Sequence, residues 1–120
     1  MDELVGRLVS NVGIDRVTAE KAVGIVLQFL EKEGPAEKVK PLIDGLPGAR
    51  QAIQNTPEES NSGMFGGGVI AAGTRMMGLG LSMGQVQSVT REIIGYAREK
   101  IGEDAVGEIV GAIPGLGQFV

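Results

Sequence analysis

Gly13-Ile14-Asp15-Arg16-Val17-Thr18-Ala19-Glu20-Lys21-Ala22-Val23-Gly24-Ile25-Val26-Leu27-Gln28-Phe29-Leu30 is the stretch whose reading decides the fold. Gly13 is placed to end a preceding helix in a left-handed cap, and Asp15 to cap the next one by accepting from a first-turn amide. Ala19, Ala22, Val23, Val26, Leu27 and Leu30 then recur at spacings of three and four, the buried face of an amphipathic helix that runs to about Glu33. Further along, the same order of signals restarts. Gly80 is a terminator, Ser82-Met83-Gly84-Gln85 has the form of a capping box, and Val86, Val89, Ile93, Ile94, Ala97 and Ile101 mark the inner face of a second long helix over 83–101.

The two stretches lie 67 residues apart, and that shift sets residues 2–53 over 69–120. Identities are few: Gly6/Gly73, Gly13/Gly80, Val39/Val106, Pro47/Pro114, Gly48/Gly115 and Gln51/Gln118. The apolar pattern agrees better. Segments 13–53 and 80–120 share 14 apolar positions, where chance would superpose about 8. The expectation is an all-α fold of two tandem three-helix units, related by an internal repeat and packed as one compact helical bundle. Unit one is 1–54, a linker occupies 55–68, and unit two is 69–120.

Within unit one, a first helix over 2–11 carries the stripe Leu4, Val5, Leu8 and Val9. Gly34-Pro35 breaks the long helix, and Pro35 suits the start of a third. Pro41 removes a backbone donor inside that third helix and predicts a kink or an early stop. Leu42, Ile43 and Leu46 face inward, Pro47 ends the element, and a short turn of helix over 49–54 closes the unit. In unit two the first helix is 69–77, with Gly78 and Gly80 after it. Gly102 ends the long helix, and Glu103 and Asp104 suit the first turn of a last helix with Val106, Ile109, Val110 and Ile113 inside. Residues 55–68 mix Pro, Ser, Asn, acid and Gly, a composition with little to bury and much entropy to lose.

The recurring order, with Gly13-Ile14-Asp15 and Gly80-Leu81-Ser82 before the long helices and Leu46-Pro47-Gly48 and Ile113-Pro114-Gly115 after the short ones, resembles a group of small bacterial all-helical proteins classed only as a domain of unknown function. The resemblance spans both units. It implies an all-α fold and a bacterial origin, and it carries no catalytic residues.

Composition narrows the function. The 120 residues contain 11 Lys+Arg and 15 Asp+Glu, a net charge of −4, with no Cys, His or Trp. Without Cys or His there is no zinc finger, disulfide framework, His-based triad or Cys nucleophile. An acidic balance without a basic run argues against a nucleic-acid partner. No apolar run reaches the ~18–20 residues that span a bilayer, and the start Met1-Asp2-Glu3 lacks the basic, apolar form of a secretory leader, so the chain is expected in the cytoplasm. No cofactor, no metal and no enzymatic activity is expected.

Several segments merit weighing as sites. Gly66-Gly67-Gly68-Val69-Ile70-Ala71-Ala72-Gly73 has phosphate-cradling glycines, but no strand precedes it and no Lys follows, so it reads as linker. The acid pairs Glu31/Glu33, Glu58/Glu59 and Glu103/Asp104 read as solvated surface. Tyr96 reads as core with its hydroxyl near the surface. Arg91, Arg98 and Lys100 interleave with Glu92 and Glu99 on a mixed outer face. Met76, Met77, Leu79, Leu81 and Met83 form the candidate interaction surface, since methionine-rich apolar surfaces adapt to varied partners. The leading expectation is a non-enzymatic helical module that binds a protein partner or itself as a homo-oligomer. The alternatives are a small-molecule or lipid carrier with an aliphatic, Met-lined gap between the units, and a peripheral membrane protein using 64–83, the least favoured.

Overall fold

In the computed structural model, which describes residues 2–56, 68–113 and 115–119, seven α-helices and a terminal 3-10 turn follow one another without a strand among the described residues. They are α1 (Asp2–Val12), α2 (Arg16–Glu33), α3 (Ala36–Asp44), α4 (Ala49–Asn55), α5 (Gly68–Met77), α6 (Met83–Ile101) and α7 (Glu103–Ala112), then the turn Leu116–Phe119.

Local chemistry explains the boundaries. Gly13 ends α1 at φ +82°, a conformation that L side chains resist. The Asp15 side chain accepts from the Thr18 amide at 2.9 Å and starts α2. The amide of Gly34 closes α2 on the Leu30 carbonyl. Ser82 and Gln85 form a reciprocal capping box: the Gln85 amide donates to Ser82 Oγ at 3.2 Å, and the Ser82 amide donates to Gln85 Oε1 at 2.9 Å. Pro41 neither stops nor shortens α3, which runs on to Asp44. Proline removes one donor, but the following turn still closes, with the Gly45 amide on the Pro41 carbonyl at 2.9 Å.

α2 is the central helix. It packs against α1, α3, α4, α5 and α6, and every residue from Ala22 to Leu27 is buried, Gly24 included. A helix apolar all round can be stable only when enclosed in this way. Gly24 is required there: a Cβ would sit 2.1 Å from Thr56 Oγ1 and 2.9 Å from the Ala52 carbonyl oxygen, so α4 can lie this close only on glycine. The Thr56 hydroxyl donates to that same carbonyl at 2.7 Å. The expected linker therefore starts later than its composition suggested, since Asn55 belongs to α4 and Thr56 is buried. It also stops earlier, since Gly68 opens α5. Residues 57–67 lie outside the described ones.

The two halves share one core. Leu4, Leu8, Leu27 and Leu30 of the first half and Ile93, Ile94, Ile109 and Ile113 of the second are all under 3% exposed and belong to a single cluster. The radius of gyration is 12.9 Å, against about 13.6 Å for a single compact domain of this length. The halves interleave: α1 lies on α6 as well as on α2, and α5 lies on α2 as well as on α6.

Three assignments of the apolar pattern need correcting. Val9 is 37% exposed and leaves the α1 stripe to Leu4, Val5 and Leu8. Ile101, in the last turn of α6, and Val110 of α7 are only half-buried. Tyr96 packs in the core as expected, 3% exposed, with the Arg7 guanidinium and the Lys100 ammonium over its ring at 5.0 and 5.1 Å from the centroid.

One pair of substitutions separates packing from propensity. Gly24→Ala should destabilise by about 1–3 kcal/mol through overpacking against α4, a fall of about 3–6 °C in Tm per kcal/mol. Gly95→Ala in α6, where a Cβ meets nothing within 4 Å, should stabilise by about 0.5–1 kcal/mol through helix propensity. Thermal denaturation of both variants checks the opposite signs.

Candidate functional site

The α5–α6 corner carries the five residues singled out from sequence, and the structure divides them. α5 unwinds through amides of Gly78, Leu79 and Gly80 that donate to the carbonyls of Thr74, Met76 and Met77, each at 3.0 Å, and Gly80 turns the chain at φ +97°. Met76 lies one turn after Ala72 on the inward side of α5 and is 3% exposed. Leu81 is 5% exposed, and Leu79 is half-buried against the core. Met77 and Met83 point outward, 45% and 53% exposed. Met76 and Leu81 are thus core anchors, Leu79 is a rim, and Met77 with Met83 are the apolar side chains a partner could reach.

The other two large apolar side chains left exposed among the described residues are Val9 and Val17, at 37% and 60%. They flank the α1–α2 corner, in the last turn of α1 and the first of α2. Sequence reasoning missed this second corner. Val17 was legible, since it lies about 200° round the helix from Ala19 and so off the buried stripe. Val9 was not, because its spacing from Val5 and Leu8 matches the stripe.

Behind the α5–α6 corner is an apolar cleft. Val26 and Phe29 of α2, Gly73 and Met76 of α5, and Val86 and Thr90 of α6 border it, with Leu116 of the terminal turn. Its space is about 310 Å³, including the part open to solvent. The enclosed part holds about one or two water-sized groups. Gly73 leaves some of this room, since a Cβ there meets nothing within 4 Å. Thr90, the polar residue on the wall, already donates its hydroxyl to the Val86 carbonyl at 2.9 Å. The cleft therefore offers apolar contact and no free donor from that residue.

Polar ties join the halves around the core. Arg7 of α1 donates to both carboxylate oxygens of Glu99 of α6, at 2.7 and 2.8 Å. Lys38 of α3 meets Glu108 of α7 at 2.8 Å. Arg75 of α5 donates to Gln28 Oε1 at 2.6 Å, and Gln28 Nε2 donates to the Thr56 carbonyl at 3.3 Å, so one amide side chain spans α5, α2 and the end of α4. The hydrogen bonds from Arg7 hold the Glu99 carboxyl below its ordinary range, and those to Glu99 raise Arg7. The Thr18 hydrogen bonds lower Asp15, and the bond to Glu108 raises Lys38.

Other expected sites give a plain result. Glu31, Glu33, Glu103 and Asp104 are exposed, while Glu58 and Glu59, with Gly66 and Gly67, lie outside the described residues. No group of three or more Asp or Glu that could hold a metal occurs among the described residues, and no helix there is long and apolar enough to cross a membrane. No family model matches the chain, and no curated protein or solved structure is significantly similar to it.

The Arg7–Glu99 tie has a definite pH signature. A carboxyl lowered on folding contributes fully above its unfolded value near about 4.3 and loses that contribution as pH falls through the folded value. Glu99→Gln should therefore lower Tm at neutral pH, and the gap from wild type should close by about pH 2. A gap unchanged between the two pH values contradicts the assignment.

Proposed function

We propose that this protein is a non-enzymatic helical interaction module that binds another polypeptide through the α5–α6 corner. The observation that carries the reading is the exposure of Met77 and Met83, 45% and 53%, on a corner whose Met76 and Leu81 are buried in the core. An unbranched, polarisable side chain on a fixed base adapts to a partner without refolding the scaffold. Leu79 at the rim extends the apolar surface between the two methionines. The glycine turn and the capping box fix where the surface points, so little conformational entropy is lost on docking.

The carrier reading would use the cleft behind the corner. A drug-sized or fatty ligand needs several hundred Å³ of enclosed space, and the enclosed part here admits about one or two small groups. A hydrocarbon chain could enter only if α5 moved away from α2. The membrane reading needs the face of α5 and α6 to turn outward, yet Ala72, Met76, Leu81 and Val86 are all buried. The corner therefore supports protein binding better than either.

Met77→Glu with Met83→Glu tests this. Both side chains are surface-exposed, so helicity and Tm should stay close to wild type, while association with itself or with a native-cell partner, read by sedimentation and quantitative co-purification, should be lost. Association unchanged in the double variant, or a wild-type protein that is strictly monomeric and partnerless, contradicts the proposal.

A further inference from the structure

From the second helix of each half onward, the elements begin at a constant separation, while α1 and α5 begin 66 residues apart, at Asp2 and Gly68. Arg16 and Met83, Ala36 and Glu103, and Ala49 and Leu116 are each 67 residues apart. The caps match in geometry as well as in place: Asp15 has φ −77° and ψ 166°, and Ser82 has φ −76° and ψ 166°. Four of the five glycines at positive φ pair likewise, Gly13 with Gly80 at +82° and +97°, and Gly48 with Gly115 at +86° and +87°, while Gly102 falls on Pro35.

The packing repeats this correspondence. Under the shift α1 answers to α5, α2 to α6 and α3 to α7. The cross-contacts α1–α6 and α5–α2 exchange with one another and α2–α6 and α3–α7 map onto themselves, while α3–α6 has no comparable α7–α2 image. Contacts that swap in pairs, with others that are their own image, are the signature of a twofold axis, which here would pass where α2 meets α6 and α3 meets α7. Each half alone has about half a core. Leu4, Val5 and Leu8 of α1 reach 0–1% exposure with α6 as one wall, and a unit of about 50 residues is marginal on the surface it can bury by itself.

The polar ties break the symmetry in one direction. The shift sends Glu99 to Lys32 and Arg7 to Thr74, and it sends Glu108 to Pro41 and Lys38 to Ala105. Two copies of unit one would set Arg7 against Lys32, a like-charge contact, in place of the carboxylate it holds now. Two copies of unit two would leave Glu108 facing Ala105. The apolar face would accept either unit, and the charges select the unlike one.

We propose that the chain is a fused pseudo-twofold dimer of two units, 2–56 and 68–119, and that the face of each unit accepts the complementary unit of a second copy of this chain. Covalent connection raises the local concentration of the partner unit to about the millimolar range, so the intact chain satisfies this face internally.

A protease site placed within 57–67 and cut in the folded, full-length protein tests it. The cut protein should remain one particle with one of each fragment and unchanged helicity, and its melting temperature should become concentration-dependent. Unfolded and refolded with an isotope-labelled batch, it should give unit one of one batch paired with unit two of the other in statistical proportion. Glu99→Lys in the cut protein should weaken the pairing several-fold, and a second change, Arg7→Glu, should restore it. Fragments that separate into independently helical units, predominance of unit-one pairs, or a Glu99→Lys loss that Arg7→Glu leaves unrepaired would each overturn the proposal.

Discussion

Everything in this fold depends on two long helices that cannot be covered by their own half of the chain. α2 is apolar over its whole circumference from Ala22 to Leu27, and it is enclosed only because α5 of the second half lies on it together with α1, α3 and α4. α6 is served in return by α1. Apolar burial of this kind is non-directional, so it does not specify which helix covers which. Specific ties do that: Arg7 on Glu99, Lys38 on Glu108, and Gln28 held between Arg75 and the Thr56 carbonyl. Surface ion pairs of this exposure add little stability, and their value here lies in register.

The apolar surface left over is confined to corners. Val9 and Val17 flank one helix turn, and Met77 and Met83 flank the other. A corner is where an apolar side chain can stay exposed without disturbing a buried face, because the helix termini are already fixed by Gly13 and Asp15 in one case and by Gly80 and Ser82 in the other. The stability of the core and the exposure of the proposed contact surface are therefore separable. The substitution of an exposed methionine does not touch the interleaved helices.

Much of the architecture was legible because its punctuation is local. Glycines at positive φ, an aspartate cap and a Ser-x-x-Gln box act within four residues, and the limits of α1, α2, α6 and α7 followed from them to within a residue or two. What was not legible depends on residues distant in sequence. The periodicity that placed Val9 inward cannot know that the neighbouring helices leave that side open. Tyr96 was legible as a core residue, but the guanidinium over its ring comes from Arg7, far away in the first half, which no local pattern signals. Composition placed Asn55 to Gly68 in a linker, yet Gly24 opens room for α4 to settle on α2, which draws Asn55 and Thr56 into the fold. The candidate surface was half legible: methionine content pointed to the α5–α6 corner, but only the three-dimensional arrangement separates Met76 and Leu81, which support it, from Met77 and Met83, which present it.

Mutual enclosure of the two long helices has one direct test, native-state hydrogen exchange resolved by residue. If neither helix is covered without the other half, the slowest amides of α2 and of α6 must exchange through the same global opening, with equal free energies and equal dependence on denaturant. One half opening at a distinctly lower free energy, while the other keeps its protection, would contradict the account.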